Sequence, residues 1–171
     1  YIGGRFSVSG TALTIAAQNY ESPACGSGSD SLTCVVVLAA TDAASTATAH
    51  TITVTITDTN DQAPAWTTSA TASVAEGATA VATMAATDSD TADSGGLTYS
   101  ITTNDPSGTV FAVSGTALTM TAQNYESPAC GSGSDSLTCV VVLAATDAAS
   151  TATAHTITVT ITDTNDEAPV W

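Results

Sequence analysis

Apolar and polar residues alternate most regularly from His155 to Thr162, with Ile157, Val159 and Ile161 on one side and threonines on the other. A period of two is the pattern of a half-buried β-strand. The same stretch occurs 105 residues earlier, around Ile52, Val54 and Ile56. Further strands are expected at 67–74, from Val81 to Ala86 and from Leu97 to Thr102. Phe111–Val113 and Ala117–Thr121 flank a tight turn at Ser114-Gly115. The apolar run Val140–Ala145 is read as a buried strand. About seven short strands separated by turn signals point to an all-β, seven-stranded, two-sheet sandwich. In the first part of the chain the last four strands recur, near 6–8, 12–16, 35–40 and 50–57.

That recurrence is an internal repeat. Residues 6–64 align with 111–169 without a gap and differ at four of 59 positions: Ser7/Ala112, Ile15/Met120, Ala16/Thr121 and Gln62/Glu167. The expected organisation is therefore a complete repeat over 64–171, including the start of the next joint, preceded at 1–63 by the C-terminal part of another. The partial repeat lacks a counterpart to 64–110. Its missing strands are expected from a longer array or from another copy of the chain.

Composition narrows the function classes. Sixteen acids face one base, Arg5, for a formal net charge of −15. Without a basic patch, nucleic-acid binding through phosphate is excluded. No run approaches the ~20 apolar residues of a membrane span. Much of the 43% apolar content is alanine, so thin cores of small residues are expected. Cys25 and Cys34 form C-x8-C, and Cys130 and Cys139 repeat it. A local disulfide in each repeat, in an oxidising compartment, is the natural reading. A thiolate metal site would want closer partners such as C-x2-C.

The acids are not scattered. Asp58-Thr59-Asn60-Asp61 and Asp163-Thr164-Asn165-Asp166 each set two aspartates and an asparagine at the mouth of an alternating strand, just before a proline. Oxygen ligands this dense suit a hard cation such as Ca²⁺, and without one the carboxylates repel. Earlier in the full repeat come Ala75-Glu76-Gly77, Asp88-Ser89-Asp90, Asn124-Tyr125-Glu126 and Asp147-Ala148. A twelve-residue EF-hand loop from Asp58 or Asp88 would end at Ser69 or Tyr99, where a Glu is required, so that motif is excluded.

In this order the chain resembles the cadherin repeat, whose marks are an early Glu, a D-x-D pair, a D-R-E or D-Y-E triplet, a D-x-A and a terminal D-x-N-D-x-x-P. All five run through 64–169, and the last three recur in 1–64. Eleven of the 16 acids fall on these positions; Asp30, Asp93, Asp105, Asp135 and Glu167 do not. The resemblance implies a Greek-key sandwich with calcium at each joint. For the joint within the chain it implies the ligands Glu21, Asp58, Asn60 and Asp61, with Asp88, Asp90 and Asp147. Asp42 would face an upstream joint. Glu76, Glu126, Asp163, Asn165 and Asp166 would face a downstream one. The triplet opens with Asn19 or Asn124 instead of an acid, and the terminal motif carries Gln62 or Glu167 where the family has Asn. The partial repeat has no early Glu. Trp66 and Trp171 fall where the family begins a repeat with an aromatic core anchor. Tyr20 and Tyr125 are expected to pack beside the joints, and His50 and His155 to be surface residues.

No nucleophile–base pair, nucleophile elbow or phosphate loop is present, so a non-catalytic protein is expected. The favoured reading is an extracellular or cell-surface structural or adhesive array, a fibre, stalk or adhesin, assembling with further copies of itself. The alternatives are a spacer or binding module of a secreted carbohydrate-active enzyme, and a homophilic adhesion receptor.

Overall fold

The computed structural model describes residues 4–25, 32–90, 96–105, 110–130, 137–149 and 151–169. The chain divides into two compact units, 1–59 and 60–171. The expected anchor Trp171 and the loop acids Asp30, Asp93 and Asp135 lie outside the described residues.

The first unit contains two antiparallel hairpins. Strands β1 (Phe6–Ser9) and β2 (Ala12–Ile15) form one, and β3 (Thr33–Thr41) and β4 (Ala47–Thr55) the other.

The second unit is a β-sandwich. Its strands are β5 (Ala65–Trp66), β6 (Thr71–Ala75), β7 (Ala80–Thr83), β8 (Ala86–Thr87), β9 (Thr98–Asp105), β10 (Phe111–Ser114), β11 (Ala117–Met120), β12 (Thr138–Thr146) and β13 (Ala152–Thr162). One sheet has the order β6-β13-β12-β9 and the other β10-β11-β7, while β5 pairs with β8. The chain crosses from β9 to the second sheet and returns between β11 and β12, which is the Greek-key path. Strand β6 lies parallel to β13, so both end side by side at Ala75 and Thr162.

Two expected strands form only in part. The first, placed at 67–74, appears as β6 alone, with the separate two-residue strand β5 before it. The second, Val81–Ala86, appears as β7 and β8. Hydroxyls cause the break: Thr68 Oγ1 accepts Ala85 N–H at 2.7 Å, and both Thr67 and Thr68 N–H donate to Ala85 O. A side chain that bonds backbone groups displaces regular ladder pairing. The expected turn forms one residue later, at Gly115-Thr116 between the paired Ser114 and Ala117, with Gly115 at φ 58°, a left-handed conformation that glycine adopts without strain.

Every second residue of β12 and β13 points between the sheets. Cys139, Val141, Leu143, Ile157 and Val159 are 0% exposed. They meet Phe111, Leu118 and Met120 from the facing sheet and Met84 just after β7. The expectation of a small-residue core is thus corrected. Inward positions carry branched and long side chains, and most alanines sit on outward positions or in turns. Disulfides join Cys25 to Cys34 and Cys130 to Cys139, each with Cα atoms 5.2 Å apart.

The repeat makes the two units an internal comparison. Strands β3 and β4 pair in the register of β12 and β13, Leu38 opposite His50 as Leu143 opposite His155. Burial differs. Leu38, Ile52, Val54 and Ile56 are half-buried, whereas Leu143, Ile157, Val159 and Ile161 are buried. Val8 and Val37 are 56% and 57% exposed. Truncation should separate the units accordingly. Leu143→Ala should cost about 2–5 kcal/mol, as for a buried leucine, and Leu38→Ala clearly less. Urea unfolding followed by circular dichroism checks this, and equal losses would mean that Leu38 is as fully packed as Leu143.

Candidate metal centre

The parallel pairing of β6 and β13 fixes one pole of the second unit. Because both strands end together, Glu76 and Asp163 leave the sheet as neighbours, and Glu76 N–H donates to Thr162 O. Gly77, at φ 75°, turns the chain away and donates to Gln123 O at 2.9 Å. The Glu76 carboxylate then holds two loops. Its Oε2 accepts Tyr125 N–H at 2.8 Å and its Oε1 accepts Thr164 N–H at 2.7 Å. These two bonds, Tyr125 first, hold the Glu76 pKa below its ordinary value of 4.5. Carboxylate oxygens of Glu76, Glu126 and Asp163 lie within 4.8 Å of one another.

Sequence reasoning set Glu167 aside. Its carboxylate oxygen lies within 4.8 Å of those of Glu126 and Asp166. The available signal was adjacency to Asp166 inside the terminal motif. Asn165 is exposed at this pole. Asn124, where the family pattern has an acid, makes a local turn, its Oδ1 accepting Ser127 N–H at 3.0 Å. Asn19 does the same for Glu21 N–H at 3.0 Å. Each asparagine thus positions the loop carrying its neighbouring glutamate.

The opposite pole is built where β8 and β12 end. Asp90 is 0% exposed, and Asp147 is 6% exposed. Asp90 Oδ2 accepts Gln62 N–H at 2.9 Å, and Asp90 N–H donates to Asp88 Oδ1 at 3.0 Å. Asp147 Oδ1 accepts Thr151 N–H at 2.7 Å. In each residue the second oxygen is different: Asp88 Oδ2, Asp90 Oδ1 and Asp147 Oδ2 are buried and have no hydrogen-bond partner. A desolvated carboxylate oxygen without a donor demands a proton or a cation. Oxygens of Asp61 and Asp90 approach within 4.8 Å, and Asp61 Oδ1 accepts the Gln62 side-chain amide. Asn60 is half-buried beside them in the chain. Gln62, a departure from the family pattern, is therefore a structural member of this pole through both its backbone and its side chain.

In the first unit, Glu21 follows β2 and Asp58 follows β4, both half-buried. Asp42 is exposed, and its Oδ1 accepts Ala44 and Thr46 N–H at 2.9 Å, the loop made by Asp147 in the second unit.

Solved structures similar to this chain in fold include cadherin ectodomains. Protocadherin gamma B2 extracellular cadherin domains 3–6 match with a TM-score of 0.71 and 20% identity, over 96% of this chain and 40% of that one. The protocadherin gammaB4 extracellular domain matches with 0.68 and 19%, over 96% and 27%. Human CDH23 EC21–23 matches with 0.67 and 22%, over 95% and 52%. The chain has the cadherin fold. No protein-family profile matches it, and no curated protein matches it in sequence. The chain spans 27% to 41% of the first three solved chains it matches.

Within this cadherin fold, Trp66 closes the pole that carries Asp88 and Asp147. It packs against the core, 5.4 Å from the Tyr99 ring. Its Nε1 donates to Thr153 O at 2.8 Å, and its ring stacks on His155 at 5.0 Å and 20°. His155 is thus no plain surface residue: half-buried, it is the plate beneath the indole. Tyr125 packs against the hydrophobic core of the sandwich.

The depressed Glu76 pKa has a sign. A carboxylate held below its unfolded value adds stability above that value and loses it as pH falls through the folded pKa. In chelator, Glu76→Gln should therefore lower the melting temperature near neutral pH, and the difference should shrink below the ordinary glutamate range. A difference constant from neutral to acid would show that the charge of Glu76 holds nothing.

Proposed function

We propose that the chain is a non-catalytic, calcium-binding repeat module of an extracellular structural or adhesive array. The observation that carries this is the set of three buried, unpartnered oxygens on Asp88, Asp90 and Asp147. Arg5, the one base in the sequence, is exposed and lies in the first unit. An all-oxygen donor set with several carboxylates is the preference of calcium, which takes 6–8 oxygens in flexible geometry, whereas magnesium keeps waters in a strict octahedron.

Asn60, Asp61, Asp88, Asp90 and Asp147 would hold calcium at one pole of the second unit. Glu76, Glu126, Asp163, Asn165 and Asp166 would hold it at the other. Glu21, Asp42 and Asp58 are proposed ligands from the first unit. Bound calcium supplies positive charge that cancels carboxylate repulsion and stiffens the loops that carry it. Residues 1–63 are proposed as the C-terminal part of one repeat, and 64–171 as a complete repeat with the start of the next joint. The paired cysteines and the charge both suit an oxidising, calcium-rich exterior.

Calorimetric titration tests the reading. Calcium should bind and raise the melting temperature, by an amount equivalent to about 2.7 kcal/mol at a hundredfold excess over Kd. An unchanged melt in excess chelator would overturn it. Asp90→Asn gives a sharper outcome. Removing a buried, uncompensated charge should raise the melting temperature in chelator while abolishing most of the calcium-dependent gain. Asp93→Ala, away from the motif positions, should leave the calcium response intact. Equal effects of the two changes would show that the ligand assignment is wrong.

A further inference from the structure

Among the described residues, the buried polar or charged side chains are Asp90, Asp147 and Gln123. The two aspartates belong to the pole built by β8 and β12. Gln123 lies at the other pole, immediately before Asn124-Tyr125-Glu126. A buried amide is costly unless its donor and its acceptor are both satisfied. Those of Gln123 are. Its Nε2 donates to Thr121 O at 2.8 Å and to Thr121 Oγ1 at 2.9 Å, and its Oε1 accepts Ala129 N–H at 2.8 Å. Its main-chain O accepts Gly77 N–H at 2.9 Å.

These bonds tie together the two segments that carry Glu76 and Glu126. Gly77 directly follows Glu76 at the turn out of β6. Ala129 closes the loop 123–130, which has Glu126 near its middle. At the end of that loop Cys130 is joined to Cys139 on β12. The loop is thus shut at its neck by one side chain and tethered at its end by a disulfide. What it presents is Glu126. A carboxylate oxygen of Glu126 lies within 4.8 Å of those of Glu76 and Asp163, and likewise of those of Asp166 and Glu167. Glu126 is the acid common to both groups, so the arrangement of donors at this pole depends on where the loop stands.

The repeat shows that the closure is made locally. In the first unit Gln18 Nε2 donates to Ala16 O at 2.8 Å, its Oε1 accepts Ala24 N–H at 3.3 Å, and Cys25 is joined to Cys34. Gln18 is only half-buried, and Ala16 stands where the second unit has Thr121. The closure therefore needs neither full burial nor the threonine hydroxyl. It needs the glutamine.

We propose that Gln123 is a positioning residue for calcium at the Glu76 pole: it shuts the loop 123–130 against the turn at Gly77 and so holds Glu126 beside Glu76 and Asp163 before the ion arrives. The disulfide limits how far the loop can stray, and Gln123 fixes where within that range it stands. Ligands already in place bind more tightly, because binding need not order them. The proposal rests on the calcium reading above.

Calcium titration of the full chain, followed through individual backbone amides by NMR, tests this. Tyr125 and Thr164, whose N–H groups donate to Glu76, report this pole, and Thr151, whose N–H donates to Asp147, reports the other. Gln123→Met keeps the length of the side chain and makes none of its hydrogen bonds. It should raise the half-saturating calcium concentration about 10- to 100-fold at Tyr125 and Thr164, the usual loss when a residue that orients metal ligands is removed, and leave it unchanged at Thr151. In chelator the amides of residues 124–129 should exchange faster with solvent, while those of β12 and β13 keep their rates. Thr121→Ala, which copies the first unit, should change neither reading. Unchanged half-saturation at Tyr125 and Thr164 in Gln123→Met overturns the proposal. So does a loss shared equally by Thr151, which marks a general effect on folding, or an equal loss in Thr121→Ala, which assigns the role to the hydroxyl. If Gln123→Met fails to fold, Ala129→Pro, which deletes the N–H at the exposed end of the same bond, decides by the same readings. A wild-type chain in which only Thr151 responds sinks this proposal and leaves calcium at the buried pole standing, whereas one in which no amide responds sinks the calcium reading itself and this proposal with it.

Discussion

Charge that the chain cannot neutralise by itself governs this molecule. Sixteen acids share one arginine, yet Asp90 is completely buried and Asp147 nearly so. Burial of a lone carboxylate is strongly unfavourable unless donors or a counter-charge surround it. Half of that need is met by backbone: Gln62 N–H reaches Asp90, and Thr151 N–H reaches Asp147. The other half is left to whatever cation arrives. The fold is therefore conditional at its pole. The sandwich core, built from Leu143, Ile157 and their neighbours, carries no charge and does not share that condition.

The repeat separates what sequence dictates locally from what it dictates only in context. Pairing and register are local: β3 and β4 align as β12 and β13 do, and Asp42 makes the same turn as Asp147. Burial is contextual. The same leucine is half-exposed at 38 and 0% exposed at 143, where Met84, Phe111, Leu118 and Met120 share its core cluster. Hydrogen-bond ladders form between neighbours in sequence, whereas apolar burial needs a second layer from elsewhere.

Much of this was legible in the sequence. The period-two pattern of Ile157, Val159 and Ile161 gave the strand and its inward face, and the resemblance of the acid motifs to the cadherin repeat implied how the acids divide between the poles. What escaped followed from side chains acting on backbone. Thr68 broke the second expected strand, a choice no hydrophobic pattern encodes. Gln62 entered the pole through its N–H, which every residue but proline possesses, so residue type carried no signal. Glu167 was passed over because the terminal motif has Asn, not an acid, at its position. His155 was misread because its partner, Trp66, lies 89 positions away in sequence.

The two poles of the second unit solve the same electrostatic problem differently. At Glu76 both oxygens are spoken for by Tyr125 and Thr164 N–H, so the loops are set before any ion binds, and the remaining acids, Glu126, Asp163 and Asp166, stay exposed where water screens them. At Asp88, Asp90 and Asp147 the carboxylates are desolvated, and one oxygen of each is left open. The first arrangement is tolerable without metal and binds weakly until water is excluded. The second is intolerable without a cation or a proton and gains most from calcium. A module with one pole of each kind can fold with one end waiting, because only the buried end needs its ion for stability. On the calcium reading proposed above, the exposed end would bind tightly once a further surface covers it, and ion binding and the joining of repeats would then be one event.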